Sequence, residues 1–294
     1  MMRKRVLIMG CTGALGHTLM KQLFVRGDLD VYGTARASEG LKKWFAPQIV
    51  GKIRSSVDAY RMDTVISAVK EIRPDVVINC IGIIKQILTA NDSIPALTIN
   101  ALLPHHIAKI CNNVGARMIH LSTDCVFSGK GGNYNESASS DADDLYGRTK
   151  YLGEVDYSNC ITLRKSVIGH ELKGRYGLLE WFLAQEGRIK GFANVIYSGI
   201  TAPELVRVIG DYVLKDDTLQ GVYHVSASPI SKYDLLKLIA KRYEKHIEIE
   251  RYEDLKLDRS LDSSRFRKAT GYKPPSWPEM IDQMFEGYRA SSLS

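Results

Sequence analysis

Long apolar runs, paired cysteines and blocks of like charge are all scarce in this sequence. No apolar stretch approaches the roughly 20 residues that a membrane span needs. The start, Met1-Met2-Arg3-Lys4-Arg5 then Val6-Leu7-Ile8-Met9, has the charge order of a secretory leader. Its apolar part ends after four residues at Gly10, too short for a leader core, and reads better as a buried first strand. The five cysteines, Cys11, Cys80, Cys111, Cys125 and Cys160, are scattered and odd in number. None forms a Cys-x-x-Cys pair, so reduced thiols in a cytoplasmic protein are expected, and no ligand cluster argues for a metal. Lys and Arg total 40 against 33 Asp and Glu, a surplus of 7 spread along the chain. That balance suits a small anionic ligand and offers no basic arm for nucleic acid.

What is present is a rhythm. Short apolar runs at residues 5–9, 31–34, 53–57, 75–80, 117–121 and 160–164 read as strands. Amphipathic segments at 14–25, 64–72, 95–114 and 146–157 read as the helices between them. Strand–helix alternation implies an α/β protein with a Rossmann-type, doubly wound parallel sheet. We expect residues 1–165 to form the dinucleotide-binding domain, with later segments returning to it. Residues 166–294 then form a smaller, mainly substrate-binding region, with helices at 178–184, 203–213 and 233–243. The longest irregular segment, 128–145, is rich in Gly, Asn, Ser and Asp, and a loop of that length is usually functional or disordered.

Gly10-Cys11-Thr12-Gly13-Ala14-Leu15-Gly16 joins the first strand to the first helix. In such a turn the first glycine permits a tight bend, the second lets backbone approach a pyrophosphate, and the third lets helix and strand pack. The helix N-terminus adds free N–H groups and positive partial charge. The second strand ends Gly33-Thr34-Ala35-Arg36 with no acid at its tip. An acid there holds the ribose hydroxyls of NAD; Arg36, helped by Ser38, instead suits the 2′-phosphate of NADP(H), with NAD(H) as the alternative.

Tyr146-Gly147-Arg148-Thr149-Lys150 places a phenol and an ammonium four residues apart, on one face of a helix. The ammonium is expected to lower the phenol's pKa, so that Tyr146 exchanges a proton with a carbonyl oxygen. Lys150 is also expected to hold the nicotinamide ribose. Leu121-Ser122-Thr123-Asp124 begins where a parallel strand should end, and Thr123 can bond the same oxygen. Glycine turn, hydroxyl and Tyr-x-x-x-Lys together point to hydride transfer.

At these residues the sequence resembles the extended short-chain dehydrogenases, and within them dTDP-4-dehydrorhamnose reductase and its relatives. The run 121–129, the helix 146–154, Arg73-Pro74-Asp75-Val76-Val77-Ile78-Asn79 and Ser260-Leu261-Asp262 carry the resemblance. It implies a catalytic triad of Thr123, Tyr146 and Lys150. It also implies cofactor contacts from Asp58 at adenine, from Cys80, Ile81 and Gly82, and from Asn100 and Ser122. Lys85, Gln86, Asp124, Val126, Phe127, Ser166 and Val167 fall where the sugar is expected. The run Arg164-Lys165-Ser166-Val167 lacks the family's tryptophan, and residues 80–86 lack its histidine, so the hexose is left open. A capsule or O-antigen sugar fits as well as dTDP-rhamnose. The implied activity is NADPH-dependent reduction of a 4-keto-6-deoxy sugar nucleotide, with no nucleic-acid or membrane partner and nothing to oppose a homodimer. The alternatives are a sugar-nucleotide epimerase with bound NAD(P), or a non-catalytic NADP-binding subunit like that of methionine adenosyltransferase.

Overall fold

The computed structural model describes residues 3–85 and 92–292. Its centre is a seven-stranded parallel sheet. The strands are β1 (Lys4–Met9), β2 (Leu29–Thr34), β3 (Ile53–Arg54), β4 (Val76–Asn79), β5 (Arg117–Leu121), β6 (Cys160–Arg164) and β7 (Gly221–His224), in the spatial order β7-β6-β5-β4-β1-β2-β3. Strand side chains alternate between faces, and here both faces are covered. Val6 and Ile8 of β1 join one apolar cluster, with Val76 and Ile78 of β4 and Ile161 and Leu163 of β6. Leu7 and Met9 join another, with Val77, Met118 and Cys160. Helix α1 (Gly16–Phe24) covers the first face through Leu19, Met20 and Leu23. Helices α2 (Met62–Ile72) and α3 (Leu103–Val114) cover the second through Val65, Val69 and Ile107.

Two local breaks matter for the site. The segment before α3 runs through one π turn, Leu97–Leu102. Pro104 has no N–H to give the Asn100 carbonyl, which is the bond a regular helix would make there. Gly153 lies against that carbonyl; a methyl group on it would come within 1.9 Å of the oxygen. Helix α4 (Leu145–Leu152) ends at Gly153, short of the expected 157, where the chain packs against this carbonyl.

Beyond β6 the chain forms small sheets that pack toward the carboxyl edge. Ile200–Thr201 pairs with Val167–Ile168, and Val195–Tyr197 lies between Ile230–Ser231 and Leu257–Asp258. The segment 128–145 is ordered by its own side chains. Ser128 bonds Asp141 through backbone and hydroxyl (2.7 and 2.5 Å), Tyr134 stacks on Phe127 at 4.2 Å, and Glu136 accepts the His224 N–H at 2.8 Å.

Candidate active site

The glycine turn is built by close packing. Gly10 has φ +75°, and a methyl group on it would meet Ile81 at 3.0 Å; one on Gly16 would sit 2.2 Å from the Gly10 carbonyl oxygen. The turn is pinned to β2 by the Gly10 N–H on Thr34 Oγ1 (3.2 Å) and the Cys11 N–H on the Thr34 carbonyl (2.9 Å). Beside it opens a cleft of about 370 Å³ along the carboxyl ends of β1, β2 and β4. Gly10, Thr12, Gly13, Arg36, Asp58, Cys80, Ile81 and Gly82 all line it. An extended dinucleotide fits such a cradle: the glycines leave room for phosphate, and Asp58 and Arg36 lie at the far end. Ala14 is exposed beside the turn, while Leu15 and Gly16 pack inward at the start of α1. Ser38 is exposed, and its carbonyl accepts the Leu41 N–H at 3.3 Å.

The three residues expected to be catalytic, Thr123, Tyr146 and Lys150, meet where α4 crosses the end of β5. Gly147 makes that crossing close, since a methyl group there would fall 2.2 Å from the Cys125 carbonyl oxygen. The Asp144 carboxylate caps α4 by accepting the Gly147 N–H at 2.7 Å. Thr123 Oγ1 accepts the Cys125 N–H and donates to Asp124 Oδ1, both at 3.1 Å. Lys150 is buried and donates to the Leu121 carbonyl at 2.8 Å. Burial, reinforced by Lys165, lowers its pKa to about 7, with Glu154 and Cys80 opposing.

Tyr146 departs from the expectation that Lys150 acidifies it. Burial holds the phenol well above its usual value, and Cys125 pushes the same way against a hydrogen bond with Thr123. The physical reason is desolvation: the phenolate is costly in this buried position, and the nearby Asp124 and Asp144 carboxylates add to the cost. Tyr146 is thereby kept as a protonated acid.

Several expected contacts lie elsewhere. Ser122 faces down, donating to Glu154 Oε1 at 2.6 Å. Glu154 in turn forms a two-point ion pair with Arg164 (2.8 and 2.7 Å) at only 6% and 5% exposure. This buried knot ties α4 to the ends of β5 and β6. Val126 and Phe127 are fully buried with Leu261, so they are packing residues and cannot line a sugar site. Asn100 spends its amide on both backbone groups of Ile83 (2.8 and 3.0 Å), so it shapes the chain after β4 from behind. Val167 sits in a short strand paired with Ile200. Lys85 pairs with Asp144 at 2.6 Å, bracing the cap of α4. Gln86 lies outside the described residues.

The expected substrate side combines Asp124, which the family resemblance placed there, with cations that linear reading missed. Asp124 is 6% exposed, and burial raises its pKa against Arg259, Thr123, Ser166 and Lys165. Lys165 is 9% exposed, and no carboxylate among the described residues lies within ion-pair distance of its ammonium. Burial lowers its pKa, against Asp124, Cys80 and Cys125. Lys232 is half-buried toward the same groups. Arg259 is aimed there by donating Nε to the Phe127 carbonyl at 2.8 Å. The only sequence signal for these cations was the mild excess of basic residues.

A family model described as RmlD substrate binding domain matches residues 3–290. A dTDP-4-dehydrorhamnose reductase of Streptomyces griseus is 34% identical over 153 residues, which span 52% of this chain and 44% of that relative. Another, from Aggregatibacter actinomycetemcomitans, is 24% identical over 94% of this chain and 97% of its own length. Among solved structures, a Bacillus anthracis dTDP-4-dehydrorhamnose reductase in complex with NADP superposes with a TM-score of 0.79 at 22% identity, over 97% of this chain and all of that one.

Proposed function

The chain belongs to the RmlD substrate binding domain family, and we propose that it reduces the keto group of a sugar nucleotide, a 4-keto-6-deoxy hexose in the first instance, with NADPH. One observation carries the reading: Thr123, Tyr146 and Lys150 converge at the end of β5, next to β4, after which Cys80, Ile81 and Gly82 line the cleft that the glycine turn opens. The reductases matched across the family support it.

In this mechanism bound NADPH supplies the hydride. The glycine turn and the first turn of α1 hold its phosphates, Asp58 the adenine, and Arg36 the 2′-phosphate. Thr123 and Tyr146 hold one carbonyl oxygen of the substrate, which orients its carbon toward the cofactor cleft. As negative charge grows on that oxygen, the proton on Tyr146 Oη moves to it. Lys150, with a pKa of about 7, gains and loses a proton readily at neutral pH and serves the ribose side. The cations Lys165, Lys232 and Arg259 favour an anionic substrate beside Asp124.

The test is NADPH oxidation against a panel of 4-keto nucleotide sugars. We expect one member to be reduced with one NADPH consumed per product. Isomerisation without net consumption would replace the reading with an epimerase. Coenzyme binding with no sugar-nucleotide binding would favour a binding subunit.

A further inference from the structure

The loop after β6 reaches farther than the sugar end of the site requires. It is fixed at both ends. His170 bonds Glu180 (2.7 Å) and Tyr243 (2.9 Å), and the Glu171 carboxylate closes the loop by accepting the N–H groups of Tyr176 (3.1 Å) and Gly177 (3.0 Å). Between these anchors Lys173 arrives at the opposite end of the dinucleotide cleft, which it lines together with Thr12, Arg36, Asp58 and Tyr60. Its ammonium lies 5.5 Å over the Trp44 ring. The indole is itself seated on Gly40, at φ +80°, where a methyl group would come within 2.9 Å of the ring.

Lys173 and Arg36 thus face one cleft from separate segments of chain. Among the described residues neither has a carboxylate within ion-pair distance, and the Asp58 carboxylate already accepts the Tyr60 N–H at 3.1 Å. Two unneutralised cations on one small cleft repel each other, and an anion between them relieves the repulsion. A ribose diol brings no charge. A phosphate monoester brings close to two negative charges and three acceptor oxygens.

We propose that Lys173 is a second ligand for the 2′-phosphate of the dinucleotide, so that residues 169–177 form a clasp over the adenosine end. The inference rests on the NADP(H) reading above and adds a residue and a loop to it. Trp44 holds the lysine in place by a cation–π contact, which lowers the entropy lost on binding.

Equilibrium titration of the purified chain with NADPH, NADH, 2′,5′-ADP and 5′-AMP tests it. Lys173→Met should raise the Kd for NADPH and 2′,5′-ADP about tenfold to a hundredfold, the usual value of a charge-assisted hydrogen bond. It should leave NADH and 5′-AMP within about twofold, and Lys173→Arg should restore most of the loss. Trp44→Ala should show a smaller loss with the same selectivity. An equal loss for NADPH and NADH would assign Lys173 to the pyrophosphate and overturn the clasp. So would an unchanged NADPH affinity in a variant derived from a wild type that prefers NADPH. A wild type that binds NADH as tightly as NADPH would overturn the NADP(H) reading itself, and the clasp with it.

Discussion

The two halves of the site are made of different material. The cofactor half is largely backbone: a glycine turn, strand ends and the start of a helix, drawn mostly from the first 82 residues. The substrate half is side chain, with Asp124, Lys165, Lys232 and Arg259 buried or half-buried and contributed by distant segments. Backbone binds what every dinucleotide shares. Buried side-chain charge costs desolvation and is retained where a particular partner offsets it. On the proposed function, generic binding and specificity are therefore spatially separate, and Thr123, Tyr146 and Lys150 stand on the seam.

Substitutions on the seam should have the largest effects. Tyr146→Phe should lower kcat by about 10²–10⁴-fold, the usual contribution of a positioned acid, while NADPH binding by fluorescence stays nearly unchanged. A variant that turns over normally would remove Tyr146 from the chemistry. Next comes Gly147→Ala, whose methyl group would meet the Cys125 carbonyl oxygen at 2.2 Å. Overpacking against backbone should cost about 3 kcal/mol, read as a lower urea midpoint. An unchanged midpoint would show that α4 can withdraw from β5 without loss.

Lys165→Met sharpens the contrast between the halves. It should raise KM for the sugar nucleotide about tenfold and change NADPH affinity much less, because it removes charge from the substrate half and reaches the cofactor half only through Lys150 and Cys80. An equal effect on both ligands would erase the division. The smallest expected effect, taken per pH unit, is in stability. The Lys150 pKa is depressed on folding, to about 7 from 10.5. Between those values the unfolded chain binds the extra proton, so the stability of the cofactor-free protein should gain from this group as pH rises through that window. The slope is at most about 1.4 kcal/mol per pH unit. Denaturation at pH 7 and 9 should show that increment in the wild type and its absence in Lys150→Met; identical slopes would place the lysine's titration elsewhere.

The glycine turn and the Tyr-x-x-x-Lys helix were readable as local geometry because each is contiguous. Gly10 to Gly16 and Tyr146 to Lys150 each encode a geometry within a few residues. The strands of the central sheet were readable too, except β7. Gly221-Val222-Tyr223-His224 has only two apolar side chains, and it is a strand because β6 lies beside it. Of the substrate half, Asp124 and Ser166 were readable through the family resemblance, while the cations were not, since nothing in the spacing of Lys165, Lys232 and Arg259 announces that they meet. Val126 and Phe127 misled for the complementary reason. They adjoin Thr123 in sequence, but the turn at Asp124–Val126 sends them into a small apolar cluster with Leu261. The end of α4 falls at Gly153, a weak helix former that packs closely on Asn100, 53 residues away in the chain, a contact that local pattern does not reveal.

The central claim is that Thr123 and Tyr146 present a substrate carbonyl to a hydride from NADPH, and isotope transfer tests it most directly. With NADPH deuterated at the transferring position, the sugar product should carry one deuterium on the new carbinol carbon, at C-4 for a 4-keto hexose, and one NADP⁺ should form per label incorporated. Conversion of the sugar nucleotide to product with no deuterium in it and no net loss of NADPH would contradict the account.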